Sequence, residues 1–281
     1  MRDVELTLAC VQMTSGENRD SNVQKAEHYI DIAIKEHNAD VIVLPEFFNI
    51  PYVFQWRDYK HIDRAEHASG PTICRMREVA KSRKVALIAT IFEEDSAGIY
   101  YDTAFFIDEE GEIRGKYRKV HPAAVQSLEK IYFRYGSHYP IVNLRGLRFG
   151  AIICYDTFFP ETARCTAVQG AEVIIVPFAA PKVDPWRAVM MTRAFENGVW
   201  FAPANKVGIE GEWTFGGRSM IVEPTGEVAE ELDDVAEGVI ATRISRSAVY
   251  GARREKPMLR DRRPDLYSPI CTPTEDVNSG K

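Results

Sequence analysis

Val41-Ile-Val-Leu44-Pro-Glu46 is a continuous apolar run that stops at a proline and then a carboxylate. Four apolar residues without alternation fit a short strand buried on both faces, as in a parallel sheet. Upstream, residues 21–38 place Val23, Ala26, Ile30, Ala33 and Ile34 on one helical face, and Leu6-Thr-Leu-Ala-Cys-Val-Gln12 before them reads as a strand. Downstream, Pro71 opens a helix carrying Ile73, Met76, Val79 and Ala80, and residues 85–92 return to strand. Strands 99–107 and 113–119 flank Asp108-Glu-Glu-Gly111, a hairpin turn. A buried strand over 147–154 leads to a helix opening at Pro160. A strand over 173–178 and a helix over 186–197, ended by Gly198, come next. Strands 199–207, 219–223 and 239–244 complete the series. Strand and helix alternate almost throughout, so the class is α/β.

No repeat, low-complexity tract or Gly/Ser linker divides the 281 residues, and single α/β domains reach about 250 residues. One domain over 1–267 with a polar tail over 268–281 is expected. Hydrophobic residues at 45% and charged residues at 27% exclude a disordered or coiled-coil chain. With 35 basic against 41 acidic residues the net charge is −6, which argues against a nucleic-acid partner. No apolar run approaches the roughly 18 residues of a membrane span. Five scattered cysteines without a CxxC pair support neither a disulfide framework nor a zinc site, and no histidine cluster implies a metal. A cytoplasmic protein is expected. The acidic stretch 227–237 reads as a solvated loop. The basic cluster of Arg253, Arg254, Lys256, Arg260, Arg262 and Arg263 reads as a surface or subunit contact.

Three strand ends carry reactive side chains. Glu46 follows Leu44-Pro, Lys119 lies in Tyr117-Arg-Lys119-Val-His121, and Cys154 stands between a buried strand and the helix opening at Pro160. Catalytic groups in α/β proteins collect at such ends. A helix N-terminus and a nearby lysine both lower a thiol's pKa, so Cys154 reads either as a reactive thiol of lowered pKa or as a buried packing residue. His121 reads as structural, Asp156 and Glu161 as fixing the turn and the helix start, and Cys10, Cys74, Cys165 and Cys271 as packing or incidental residues.

Together these segments resemble the nitrilase, or carbon–nitrogen hydrolase, superfamily. The residues carrying the resemblance are Leu44-Pro-Glu46, Tyr117-Arg-Lys119-Val-His121, Leu128-Glu129-Lys-Ile-Tyr-Phe133, Cys154-Tyr155-Asp156 and Phe159-Pro-Glu161. Weaker matches at Ala204-Asn-Lys-Val-Gly208 and Arg262-Arg-Pro-Asp-Leu-Tyr267 extend it along the whole chain. The nearest branch holds N-carbamoylputrescine amidases and N-carbamoyl amide hydrolases. From that branch this chain departs at Arg134-Tyr-Gly-Ser-His138, where Pro-Gly-Asp is usual.

The resemblance implies a four-layer α-β-β-α sandwich and hydrolysis of a non-peptide C–N bond, in an amide or N-carbamoyl amine, with no cofactor. Cys154 would be the nucleophile, Glu46 the base, and Lys119 with the Tyr155 backbone N–H the oxyanion holder. Glu129 would position Lys119. Tyr52, Phe158, Phe178 and Trp186 are candidate pocket residues. No arginine follows the nucleophile until Arg164, so a substrate without a carboxylate fits best. A nitrilase, or an acyl- or carbamoyl-transferase to an amine, is the alternative on the same fold. Members pair through helices beside the nucleophile, so a homodimer or larger even oligomer is expected.

Overall fold

A computed structural model describes residues 3–181 and 185–273. In chain order the elements are β1 (Glu5–Gln12), α1 (Arg19–His37), β2 (Val41–Val43), α2 (Pro71–Arg83), β3 (Ala86–Ser96), β4 (Ile99–Ile107) and β5 (Ile113–Arg118). There follow α3 (Glu129–Tyr132), β6 (Val142–Leu144), β7 (Leu147–Ala151), α4 (Pro160–Val168), β8 (Val173–Phe178), α5 (Trp186–Asn197) and β9 (Trp200–Asn205). The last are β10 (Val207–Glu210), β11 (Trp213–Gly216), β12 (Met220–Val222), β13 (Val228–Glu231), β14 (Gly238–Ser245) and α6 (Arg246–Glu255).

Two six-stranded sheets form, in the orders β14-β1-β2-β3-β4-β5 and β13-β12-β9-β8-β7-β6, with β10-β11 as a separate hairpin. Each has a parallel centre, β1-β2-β3 in one and β7-β8-β9 in the other, and antiparallel flanks. The alternation within β1 explains the layering. Ala9 and Val11 join a core with Val23, Ala26 and Ile30 of α1 and with Ile73 and Val79 of α2. Leu6, Leu8 and Cys10 point the other way. They join a larger core that runs through the second sheet to Ala163 and Ala167 of α4 and Met190 and Ala194 of α5. The chain is thus the expected four-layer α-β-β-α sandwich.

Helix ends follow local chemistry. Asn18 caps α1, its side chain accepting the Ser21 N–H, and Gly198 closes α5 in the left-handed region at φ 55°. Gly150 on β7 lets α4 settle directly on the strand that carries the nucleophile candidate. A Cβ there would lie 2.2 Å from Thr166 Cγ2, an overpacking worth about 1–3 kcal/mol.

Several expectations are corrected. The strand over 147–154 ends at Ala151, because Cys154–Phe158 turns into a 3-10 helix. The strand over 199–207 is two, β9 and β10. The acidic stretch is not all loop: Val228–Glu231 is the edge strand β13, and Glu231 is held by Arg187 and Arg218. Glu237 accepts from Lys25, Tyr29 and the Thr14 N–H, so its charge is partnered inside the fold. Arg253 of the basic cluster also turns inward, donating to the carbonyls of Asn197 and Ala171. Of the expected tail, Ser268–Cys271 is an exposed 3-10 turn, and residues 274–281 lie outside the described residues. Among the described residues no helix is long and apolar enough to cross a membrane.

Candidate active site

Each candidate side chain is delivered by a strand end or the turn after it. β2 stops at Val43, the Leu44 N–H still bonds the Ile88 carbonyl at 3.0 Å, and Pro45 then ends the ladder. Glu46 follows, and Phe47 after it has φ 51°. Lys119 follows β5. Its N–H donates to the Asp102 carbonyl at 2.9 Å, and its own carbonyl accepts the Gly136 N–H at 2.8 Å. Only glycine fits at 136, since a Cβ there would lie 1.9 Å from the Arg118 carbonyl oxygen. Glu129 opens the single turn α3.

Cys154 itself has φ 46°, a left-handed conformation that a non-glycine residue holds only when its surroundings impose it. Asp156 imposes it. The buried Asp156 carboxylate accepts the Ile153 N–H at 3.0 Å, the Tyr117 hydroxyl at 2.6 Å and the His121 N–H at 2.9 Å. One carboxylate thus ties the nucleophile turn to the strand end that bears Lys119. His121 is structural as expected, with Nδ1 2.9 Å from Asp156 and its ring stacked on Phe159. Arg193 of α5 braces the same turn by donating to the Thr157 carbonyl at 2.9 Å.

The charged centre is dry: the side chains of Glu46, Lys119, Asp102 and Glu129 are fully buried. Lys119 Nζ lies 2.7 Å from Glu46 Oε1, 2.8 Å from Glu129 Oε2 and 3.3 Å from Asp102 Oδ2. Glu129 is further held by the Ala123 N–H at 2.7 Å and the Tyr52 hydroxyl at 2.6 Å. One oxygen from each of Glu46, Asp102 and Glu129 lies within 4.8 Å of the others, a spacing that suits a cation. The Lys119 ammonium already fills that place.

Burial alone would push the Lys119 ammonium down, but Glu129 and Glu46 hold it well above its ordinary pKa. Glu46 is raised by burial, with Lys119 opposing and Glu129 adding to the rise. The expectation for Cys154 is corrected. Its thiol is pushed well above its ordinary value, first by burial and then by the Glu46 carboxylate, and Lys119 offsets only part of this. The helix dipole is remote too, since α4 begins six residues later at Pro160. The resting sulfur is a thiol, so attack needs a base.

The structure brings Glu46, Lys119, Glu129 and Cys154 together, and it divides the four candidate pocket residues. Phe178 and Trp186 stack edge-on at 4.1 Å in the core that includes Cys154, with Phe158 packed against it. Tyr52 belongs to a second aromatic cluster with Phe47, Phe54, Phe133 and Phe215, and lies flat on Trp213 at 5.0 Å. Tyr155 is half-buried at the nucleophile turn, its ring edge-on to Phe159 at 5.2 Å. Sequence reasoning missed Asp102. Its one signal was a lone carboxylate inside the apolar strand Ile99–Ile107.

The profile of the carbon–nitrogen hydrolase family matches residues 7–254. The chain belongs to that family. It is 32% identical to an N-carbamoylputrescine amidase of Arabidopsis thaliana over 95% of this chain and 96% of that one. The crystal structure of a carbon–nitrogen hydrolase from Helicobacter pylori G27 superposes with a TM-score of 0.90 at 27% identity, covering 96% of this chain and 99% of that one. A mutant amidase from Nesterenkonia sp. AN1 superposes with a TM-score of 0.80 at 26% identity, covering 95% of this chain and 97% of that one. That structure shows the acetamide moiety of fluoroacetamide added covalently at its active site cysteine. The chain is therefore a carbon–nitrogen hydrolase of amidase type, and small amides fit its family as substrates.

Proposed function

We propose that this hydrolase cleaves a small amide or N-carbamoyl amine through a thioester on Cys154. The observation that carries the reading is the Lys119 ammonium held between Glu46 and Glu129 beside the buried Cys154 side chain. Glu46 takes the thiol proton as sulfur attacks the carbonyl carbon. Lys119, kept charged by its carboxylates, and the Tyr155 backbone N–H stabilise the developing oxyanion. Glu46 returns the proton to the departing nitrogen, the C–N bond breaks, and Glu46 then activates the water that clears the thioester. Glu129, gripped by Tyr52 and the Ala123 N–H, positions Lys119.

Three carboxyl groups against one ammonium leave the site negative even with one of them protonated, a poor host for a substrate carboxylate. Arg164, the first arginine after the nucleophile, lines a cavity of ≈ 1030 Å³ under the C-terminal segment with Tyr267 and Ile270. N-carbamoyl amines are thus favoured over N-carbamoyl amino acids, in line with the activity named for the Arabidopsis thaliana relative. That cavity between α4 and the exposed Tyr267 and Ile270 supports pairing with a second copy, giving a homodimer or larger even oligomer.

Ammonia release should be measured with an N-carbamoyl amine, the matching N-carbamoyl amino acid and a simple amide, each with and without an added acceptor amine. Faster release from the carbamoyl amine, unaffected by the acceptor, is expected. Preference for the amino acid would overturn the substrate reading, and product formed only with the acceptor would make the chain a transferase.

A further inference from the structure

Asp102 has no role in the steps above, yet its carboxyl group lies in the middle of them. It sits within β4 opposite Phe92, with its side chain fully buried. Around it stand Glu46, Lys119 and Glu129, with Cys154 and Tyr52 next to these, and the buried Lys206, between β9 and β10, within the electrostatic reach of Glu46. The Lys119 ammonium donates a hydrogen bond to Glu46 Oε1 at 2.7 Å, while its approaches to Glu129 Oε2 at 2.8 Å and Asp102 Oδ2 at 3.3 Å are ion-pair contacts only. With every carboxyl ionised, three oxygens therefore have no donor: both of Asp102 and Oε2 of Glu46. A buried carboxylate without donors is among the costliest groups a fold can hold. One proton between the two carboxyls relieves most of this cost, because the oxygen that carries it becomes a donor to the facing oxygen and one negative charge is cancelled.

We propose that Asp102 is a positioning residue for the base, standing beside Glu46 as a carboxylic acid and sharing one proton with it. This rests on the reading of Glu46 as base. Two interacting carboxyls titrate as a unit, so the pair has a working state with one proton. When the S–C bond forms, the thiol proton enters the pair, which then holds two. When the C–N bond breaks, one proton leaves on the departing nitrogen and the pair returns to one. With no proton the two anions repel and Glu46 loses its fixed orientation; with two at rest it cannot accept the thiol proton. Burial and the Glu46 charge hold the Asp102 carboxyl well above the ordinary range, consistent with this. Carboxylates hold Lys119, and burial holds Cys154, above their ordinary values as well.

The test uses infrared difference spectra and the rate at which iodoacetamide alkylates Cys154, read by mass spectrometry of its peptide across pH. Neither needs the substrate to be known. Wild type should show a protonated-carboxyl C=O stretch at neutral pH that is absent from both Asp102→Asn and Glu46→Gln, since each carboxyl keeps the proton on the other. Asp102→Asn, which still offers an N–H to Glu46, should alkylate within about tenfold of wild type at neutral pH, the worth of about one hydrogen bond. It should lack the wild-type break where the pair loses its last proton. A carboxyl band that persists in Asp102→Asn would overturn the proposal. So would a variant slowed equally at every pH, which marks packing alone. If Asp102→Asn does not fold, the Glu46→Gln spectrum decides. Bands and profile behaving as expected without turnover of any amide would sink the function and leave the shared proton standing.

Discussion

Lys119 and Lys206 are equally buried, and they differ in what surrounds them. Lys206 Nζ donates to Glu210 at 2.9 and 3.0 Å, to Ser15 Oγ at 2.9 Å and to the Ile50 carbonyl at 3.0 Å. Glu210 in turn accepts the N–H groups of Ser15 and Tyr52. Every charge there has a partner, and burial lowers the Lys206 pKa with Glu210 offsetting part of the fall. Lys119 instead faces three carboxyls, is held above its ordinary pKa, and leaves three oxygens without donors. A satisfied buried pair is a strut. A buried cluster with spare acceptors is poised to move protons. The two are joined through Tyr52, whose N–H rests on Glu210 and whose hydroxyl holds Glu129.

The sharpest way to separate chemistry from support is to delete the sulfur. Cys154→Ala should lower ammonia release by at least about 10⁴-fold, as loss of a nucleophile does, with an unchanged circular dichroism spectrum. Full activity in that variant would end the nucleophile assignment. The converse deletion is Lys206→Met, which strands the Glu210 carboxylate. Urea denaturation should show a loss of about 3–5 kcal/mol in stability, while the folded fraction keeps most of its kcat. Collapse of kcat at unchanged stability would erase the distinction between the two lysines.

The α/β class was legible because the central strands are unbroken apolar runs and the helices carry single apolar stripes, as in β2 and α1, whereas the four-layer stacking came from the family resemblance. Glu46, Lys119 and Cys154 stood out because each sits at a strand end, where a polar residue follows an apolar stretch, while Glu129 was found through the family resemblance alone. Asp102 lies inside a strand, and its role depends on Glu46, which is brought beside it by the fold across β3. The Lys206–Glu210 pair was hidden in the same way, since a strand-to-hairpin spacing carries no sign of burial. The thiol was misjudged for a related reason. Its pKa is set by how deeply Cys154 is packed and how near Glu46 stands, and neither can be read along the chain.

The account rests on Glu46, not Glu129, taking the Cys154 proton. Alkylation of Cys154 by iodoacetamide in Glu46→Gln and Glu129→Gln tests this directly, with each peptide quantified by mass spectrometry. Glu129→Gln should react at close to the wild-type rate, because Glu46 still accepts the proton. Glu46→Gln should be slower by about 10²-fold or more, the usual worth of a general base. The reverse order of rates would make Glu129 the base and contradict the assignment.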